Sequence, residues 1–350
     1  MARKEAVRSA IIGFGMSIPA KRITTEEIAR EWQADAKAIK DGIGVSQKSV
    51  PDQGEDTFTL AFEAGTQAIE TAKIKSSQVS AVFVGSESHP YAVKPTSGMV
   101  AAALECDPFC HCADLEFACK AGTAAMQIVD SLVRSGQIQY GLAIGSDTAQ
   151  SRPGDALEYT AAAGAAAFVI GPATDKNALC RIDQTLSFTT DTPDFWRANG
   201  EKYPNHAGRF TGEPAYFRHI REAAKGILAV AKLSAKDIDH VVFHMPNAKF
   251  PSRMAKELGF TKAQMEHGFI VTSIGNTYSA CSPLGLAHVL EVAKKGQRIL
   301  VVSYGSGAGS DAFLMTMLRD GVKLRKGSEE TTYLTYSEYR QATESLITNH

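Results

Sequence analysis

No run of about 18 apolar residues occurs anywhere in the chain, which excludes a membrane-spanning helix. Neither sign of charge dominates, with 37 Lys and Arg against 38 Asp and Glu. That argues against wholesale binding to nucleic acid or an anionic membrane and leaves room only for local basic patches. Met1-Ala2-Arg3-Lys4-Glu5 leads into a short apolar run broken by Gly13 and Gly15, a poor match to a signal peptide, so none is expected there. Cysteine is scarce, six in 350 residues, too few for a disulfide scaffold, so thiols and a cytoplasmic location are expected. What remains is a chain long enough for one large domain or two ordinary ones, each with its own core.

The chain repeats itself. Lys73-Ile74-Lys75-Ser76-Ser77-Gln78-Val79-Ser80-Ala81-Val82-Phe83-Val84 resembles the segment from Lys232 to Phe243, 159 residues on. Ser135-Gly136-Gln137-Ile138 through Ser146 resembles Lys295-Gly296-Gln297-Arg298 through Ser306, 160 residues on. Short apolar runs near 81–85, 141–145, 240–244 and 299–304 read as buried strands. They alternate with helical stretches at 60–72, 121–134, 213–231 and 283–294, which predicts βαβ units and a mainly parallel core sheet. The polar turn Gly171-Pro172-Ala173-Thr174-Asp175-Lys176-Asn177 marks a boundary near 175. The expected organisation is two halves, 1–175 and 176–325, and a polar tail, 326–350, read as an appended surface segment with a frayed end.

Cys119 sits where a short apolar run gives way to a small-residue helix, in Phe117-Ala118-Cys119-Lys120-Ala121-Gly122-Thr123. Free N–H groups and the positive dipole end at a helix N-terminus favour thiolate, the attacking species in acyl transfer. Such a nucleophile needs a proton acceptor and oxyanion donors. Glu87 and His244 follow corresponding strands of the two halves, and Asn276 precedes the helix that matches the one after Cys119. Ligands of open α/β sheets gather at strand carboxyl ends, so the repeat predicts that all four meet in one crevice.

Cys106, Cys110 and Cys112 invite a zinc reading, but Cys180 and Cys281 are isolated and no second ligand pair follows, so no metal is expected and these read as partly buried thiols. Ser303-Tyr304-Gly305-Ser306-Gly307-Ala308-Gly309-Ser310 lacks the Lys-Ser/Thr ending of a P-loop and reads as a tight turn beside the acyl site, able to give an N–H to an oxyanion.

Gly85-Ser86-Glu87-Ser88, the Cys119 segment, Asp194-Phe195-Trp196-Arg197, Phe243-His244-Met245-Pro246 with Lys249, Gly275-Asn276-Thr277-Tyr278 and the Gly-rich turn together resemble hydroxymethylglutaryl-CoA synthases of the short archaeal type, over roughly residues 8–325. The resemblance implies a thiolase-like α/β fold, internally duplicated and layered α-β-α-β-α. It implies that Cys119 is acetylated by acetyl-CoA, Glu87 removes a methyl proton, and His244 with Asn276 polarises acetoacetyl-CoA. The N–H groups of Cys119 and Ser306 are the implied oxyanion donors. Lys249 and Arg253 match coenzyme A contacts, and Asp35, Ala36, Thr160 and Thr211 match other substrate contacts. Coenzyme A thioesters are implied as substrates, with no further cofactor. A homodimer is implied, as is a complex with acetoacetyl-CoA thiolase and a small zinc-ribbon scaffold protein. The Cys106–Cys112 stretch and Ser151-Arg152-Pro153-Gly154 depart from the family pattern. Alternatives are an initiating-type β-ketoacyl-carrier-protein synthase, a non-catalytic thiolase-fold partner subunit and a cysteine hydrolase. A carboxylate at Glu87 separates the first of these.

Overall fold

Nine strands of the computed structural model, which describes residues 8–324 and 330–348, hydrogen-bond into one sheet. Their order is His240–Phe243, Arg298–Val302, Gly309–Met317, Cys180–Thr189, Ser9–Ser17, Ala163–Pro172, Tyr140–Thr148, Val79–Gly85 and His111–Leu115. Parallel pairing is confined to the two ends: Val79–Gly85 with both its neighbours, and His240–Phe243 with Arg298–Val302. The middle is antiparallel, contrary to the mainly parallel sheet expected. The expectation failed because Tyr140–Thr148 with Ala163–Pro172, and Arg298–Val302 with Gly309–Met317, are consecutive strands with no α-helix between them, while Ser9–Ser17 and Cys180–Thr189 pair antiparallel between the halves.

Burial divides the molecule into layers. One apolar cluster packs helix Thr57–Ala72 on the outer face of the last five strands in that order, through Leu60, Ala64 and Ala68. A second packs helix Phe217–Ala231 on the outer face of the C-terminal strands, through Ile220, Ala224 and Ile227. A third holds both inner faces together around helices Ala121–Arg134 and Cys281–Leu290. This is the expected α-β-α-β-α arrangement. The central helices read as small and apolar because strands cover them on both sides; every residue of Cys281–Leu290 except His288 is buried.

Backbone irregularities recur with the sequence repeat. Lys73 and Lys232 both end a helix in the left-handed region, at φ 57 and 56. Ala118 and Tyr278 share positive φ, 44 and 49, and each lies just before a central helix. On this register Cys119 corresponds to Ser279, three residues after Asn276.

The C-terminal segment is integral to the body. Thr332–Tyr333 extends the small sheet beside Lys21–Thr24, and helix Tyr336–Thr348 buries Tyr339 and lodges near Leu334. Lys48 Nζ meets Tyr339 Oη at 3.0 Å, and Tyr336 Oη donates to Glu158 at 2.9 Å. The surface-appendage expectation therefore fails, while Asn349 and His350 lie outside the described residues.

Candidate active site

Three glycines let the site assemble backbone against backbone. A Cβ on Gly85 would lie 2.2 Å from the Ala121 carbonyl carbon, and one on Gly122 or Gly145 would lie 2.5 Å from the Ser279 oxygen. The end of strand Val79–Gly85, the start of helix Ala121–Arg134 and the Ser279 turn thus touch directly.

Asp147, at the end of strand Tyr140–Thr148, ties them together. One carboxylate oxygen accepts Ser86 Oγ at 2.8 Å, the Glu87 N–H at 2.8 Å and Ser88 Oγ at 2.6 Å. The other accepts the Ser279 N–H at 2.8 Å and its Oγ at 2.6 Å. A buried ion with five donors is fully satisfied, and it fixes where Glu87 can point.

Glu87 has one carboxyl oxygen sealed from solvent without a hydrogen-bond partner. Burial, then the Asp147 charge, push its carboxyl up to about 8, opposed by a hydrogen bond from Cys119. Cys119 is 4% exposed and packs with Ala161 and Tyr278. Burial, followed by the Glu87 and Asp147 charges, raises its thiol well above the ordinary range. The thiolate expected from the helix N-terminus is therefore not the resting form: desolvation and two carboxylates outweigh the dipole. Cys119 rests as a thiol, held against Glu87.

A cavity of about 250 Å³ opens beside them, lined by Glu87, Ala118, Asp147, Tyr278 and Ser306 and rimmed by Phe195, Trp196 and Arg197. Arg197 donates to the Glu87 backbone oxygen at 2.8 Å and to Gln150 at 3.1 Å. The Ser306 turn is pinned by Asp194, which accepts the Gly307 N–H at 2.8 Å, Tyr304 Oη at 2.8 Å and Thr192 Oγ1 at 2.7 Å. Because Asp194 takes that N–H, the turn is not a phosphate cradle.

Residues 113–186 match the family model 3-oxoacyl-[acyl-carrier-protein (ACP)] synthase III, and residues 228–317 match the model of its C-terminal part. A hydroxymethylglutaryl-CoA synthase from Methanosphaera stadtmanae is 52% identical over 338 residues, 95% of this chain and 97% of that protein. One from Archaeoglobus fulgidus is 58% identical over 303 residues, 87% of each. The chain belongs to the hydroxymethylglutaryl-CoA synthase family. In fold, a crystal structure of an HMG-CoA synthase complexed with CoA matches at TM-score 0.85 and 23% identity, over 98% of this chain and 91% of that one. A 3-oxoacyl-(acyl carrier protein) synthase III from Pseudomonas aeruginosa matches at 0.79 and 20%, over 91% and 100%. Both carry the thiolase-like fold.

The remaining family positions are less tightly gathered. His244 is buried behind Tyr216 and Tyr304, with ring centroids 6.5 and 6.4 Å away and its Nδ1 unpartnered. Burial lowers its imidazole to about 3, so the ring is neutral. The next N–H, of Met245, donates to Cys281 Sγ at 3.3 Å. Asn276 pairs through its backbone with Thr160 O at 2.7 Å, and its Oδ1 accepts the Tyr278 N–H at 3.0 Å.

Lys249 opens helix Lys249–Leu258, and Arg253 follows one turn later on the same face; both are exposed, and Arg253 stacks 4.1 Å over Phe217. Thr211 begins the distorted turn Thr211–Tyr216. Asp35 caps helix Ala36–Ile43 by accepting the Ala38 N–H at 3.0 Å. The far end of that helix meets the start of the Lys249 helix, where the Ala248 N–H donates to Ile43 O at 2.8 Å. Among the described residues no group of His, Cys, Asp and Glu is arranged to hold a metal ion. Sequence reasoning missed Asp147 as the support of Glu87, although it is a buried acid in a small, apolar strand run, which is a signal in itself.

Proposed function

We propose that the chain condenses acetyl-CoA with acetoacetyl-CoA through an acetyl-Cys119 thioester, giving 3-hydroxy-3-methylglutaryl-CoA for isoprenoid synthesis through mevalonate. Relatives at 52 and 58% identity carry the name of that enzyme. The observation that supports it most is the pairing of a desolvated carboxyl, pushed up to about 8, with the thiol beside it. A base whose pKa lies near working pH suits a weak carbon acid such as a methyl thioester.

The steps follow from those groups. Cys119 Sγ attacks the acetyl-CoA carbonyl, the bond to the coenzyme A sulfur breaks, and coenzyme A leaves with the thiol proton. The N–H groups of Cys119 and Ser306 hold the oxyanion. Glu87, as carboxylate, takes a proton from the acetyl methyl, and the resulting carbon attacks the ketone of acetoacetyl-CoA. Neutral His244, with Asn276, donates a hydrogen bond to that ketone oxygen and passes it the ring proton, which the ring regains from solvent as Glu87 releases the proton it took. Water then cleaves the Cys119 thioester. Lys249 and Arg253 hold coenzyme A phosphates, and Asp35, Ala36, Thr160 and Thr211 complete the substrate contacts. No cofactor beyond the coenzyme A substrates takes part.

The protein works as a cytoplasmic homodimer, and association with acetoacetyl-CoA thiolase and a zinc-ribbon scaffold protein belongs to the same reading. The chain divides into halves 1–175 and 176–325 with a tail, 326–350; the recurring backbone irregularities at Lys73 and Lys232 support the duplication. A second reading, an initiating β-ketoacyl-carrier-protein synthase, is favoured only by the names of the matched family models. Purified protein is offered acetyl-CoA with acetoacetyl-CoA, and separately acetyl-CoA with malonyl-loaded carrier protein, and products are identified by mass. Hydroxymethylglutaryl-CoA in the first arm alone is expected; a 3-ketoacyl carrier protein in the second would reverse the assignment.

A further inference from the structure

Lys120 follows the nucleophile directly, yet it is buried, 5% exposed, with its ammonium inside the protein. Its Nζ donates to both oxygens of Asp311, at 2.9 and 3.0 Å, and lies 3.9 Å from the Phe117 ring centroid. Asp311 is completely buried and also accepts Ser187 Oγ at 2.7 Å and Thr123 Oγ1 at 2.9 Å. The Thr123 hydroxyl lies 2.7 Å from Ser303 Oγ. Every polar atom of the pair is thus occupied.

Burying two charges is costly, and a well-packed apolar pair of the same volume would fold about as well. The placement of this pair therefore calls for a role besides stability. Lys120 ends the turn that holds Cys119 at the strained Ala118, where φ is 44. Asp311 stands two residues into strand Gly309–Met317, directly after the turn that carries Ser306. The two turns touch: a Cβ on Gly305 would lie 2.5 Å from Phe117 O and 2.9 Å from Lys120 Cγ.

We propose that Lys120 and Asp311 are a positioning pair that fixes the Cys119 turn against the Ser306 turn, and so sets the separation of the two N–H groups that receive the oxyanion. The proposal rests on the acyl-transfer reading above. The pair touches no substrate; it acts through the backbone on either side of the cavity. A displacement of about 1 Å at such a site costs on the order of 100-fold in rate, and loss of one oxyanion donor costs about 10²–10³-fold.

The test compares the parent with Lys120→Met/Asp311→Leu, which removes both charges and keeps the volume, and with Lys120→Met, which leaves Asp311 buried and alone. Thermal unfolding, coenzyme A release from acetyl-CoA and condensation are followed for each. The double variant is expected to keep its melting temperature and its KM for acetyl-CoA while acetylating about 10–100-fold more slowly. In a Glu87→Gln background that retains the acetyl group, [1-13C]acetyl-enzyme is examined by infrared spectroscopy. The carbonyl stretch is expected to move to higher wavenumber in the double variant, as the donors withdraw. A folded double variant that acetylates at the parent rate with an unshifted carbonyl band overturns the proposal, whatever becomes of the single variant. A parent that takes up no acetyl group overturns the acyl-transfer reading instead, and this proposal with it.

Discussion

The Asp147 carboxylate accepts the backbone N–H of Glu87 at 2.8 Å and stands close enough to raise the proton affinity of the Glu87 side chain. One acid thus positions another and tunes it. Asp147→Asn removes the charge and leaves some of five donors unanswered. We expect a loss of about 3–5 kcal/mol, the range for breaking a buried charged network, read from the denaturant midpoint. Where the variant remains folded, the pH profile of condensation is expected to shift to lower pH. An unchanged midpoint and profile would contradict the role given to Asp147.

Glu87 makes stability depend on pH in a defined direction. Its carboxyl is held at about 8 in the folded chain against an ordinary value near 4.5. Between those values the folded state binds more protons than the unfolded state, so stability falls as pH rises through the window. Glu87→Gln removes the titration. Its melting temperature is expected to exceed that of the parent by more at pH 8.5 than at pH 5; an equal difference at both would mean that Glu87 is not buried with a raised pKa.

His244 has the opposite direction. Its ring is held at about 3, below its ordinary 6.5, so the folded state resists protonation and loses stability as pH falls from 6.5 toward 3. His244→Gln is expected to lose less stability than the parent between pH 6.5 and 4.5. Parallel losses in a thermal-shift series would show that the imidazole titrates normally.

The C-terminal helix is held chiefly through Tyr339, which is 3% exposed and meets Lys48. Tyr339→Ala is expected to destabilise by about 3–5 kcal/mol, the usual cost of an aromatic-to-alanine change in a core. A change under about 0.5 kcal/mol, typical of a surface site, would restore the view of the tail as an appendage.

Among the clustered thiols, Cys112 is lowered to about 7, first by a hydrogen bond from Cys110, while burial raises Cys106 to about 11. Limited alkylation at pH 7.5 followed by peptide mapping is expected to label Cys112 before Cys106. Labelling in the reverse order would contradict that assignment.

Much of this was legible in the sequence. The repeat located both central helices, and helix Ala121–Arg134 matches the expected 121–134. The repeat relates Glu87 to His244 and Cys119 to the neighbourhood of Asn276 and so predicts one crevice; within it the structure hydrogen-bonds Cys119 to Glu87. The antiparallel middle of the sheet was not legible. Ala163–Pro172 opens on five alanines and glycines, so the β-branched signal that marks Val79–Gly85 is confined in it to Val169 and Ile170. The charge state of Cys119 was misread because a local rule, the helix N-terminus, was applied without the buried acids that only the fold brings near it. Lys120 and Asp311 lie 191 positions apart, a pairing that a single sequence does not display.

The account is tested most directly by intact-mass and peptide analysis after incubation with acetyl-CoA. One acetyl group on Cys119 is predicted in the parent, and in Glu87→Gln an acetyl group that forms but yields no product when acetoacetyl-CoA is added. Acetylation that survives Cys119→Ala, or a Glu87→Gln variant that turns over like the parent, would contradict it.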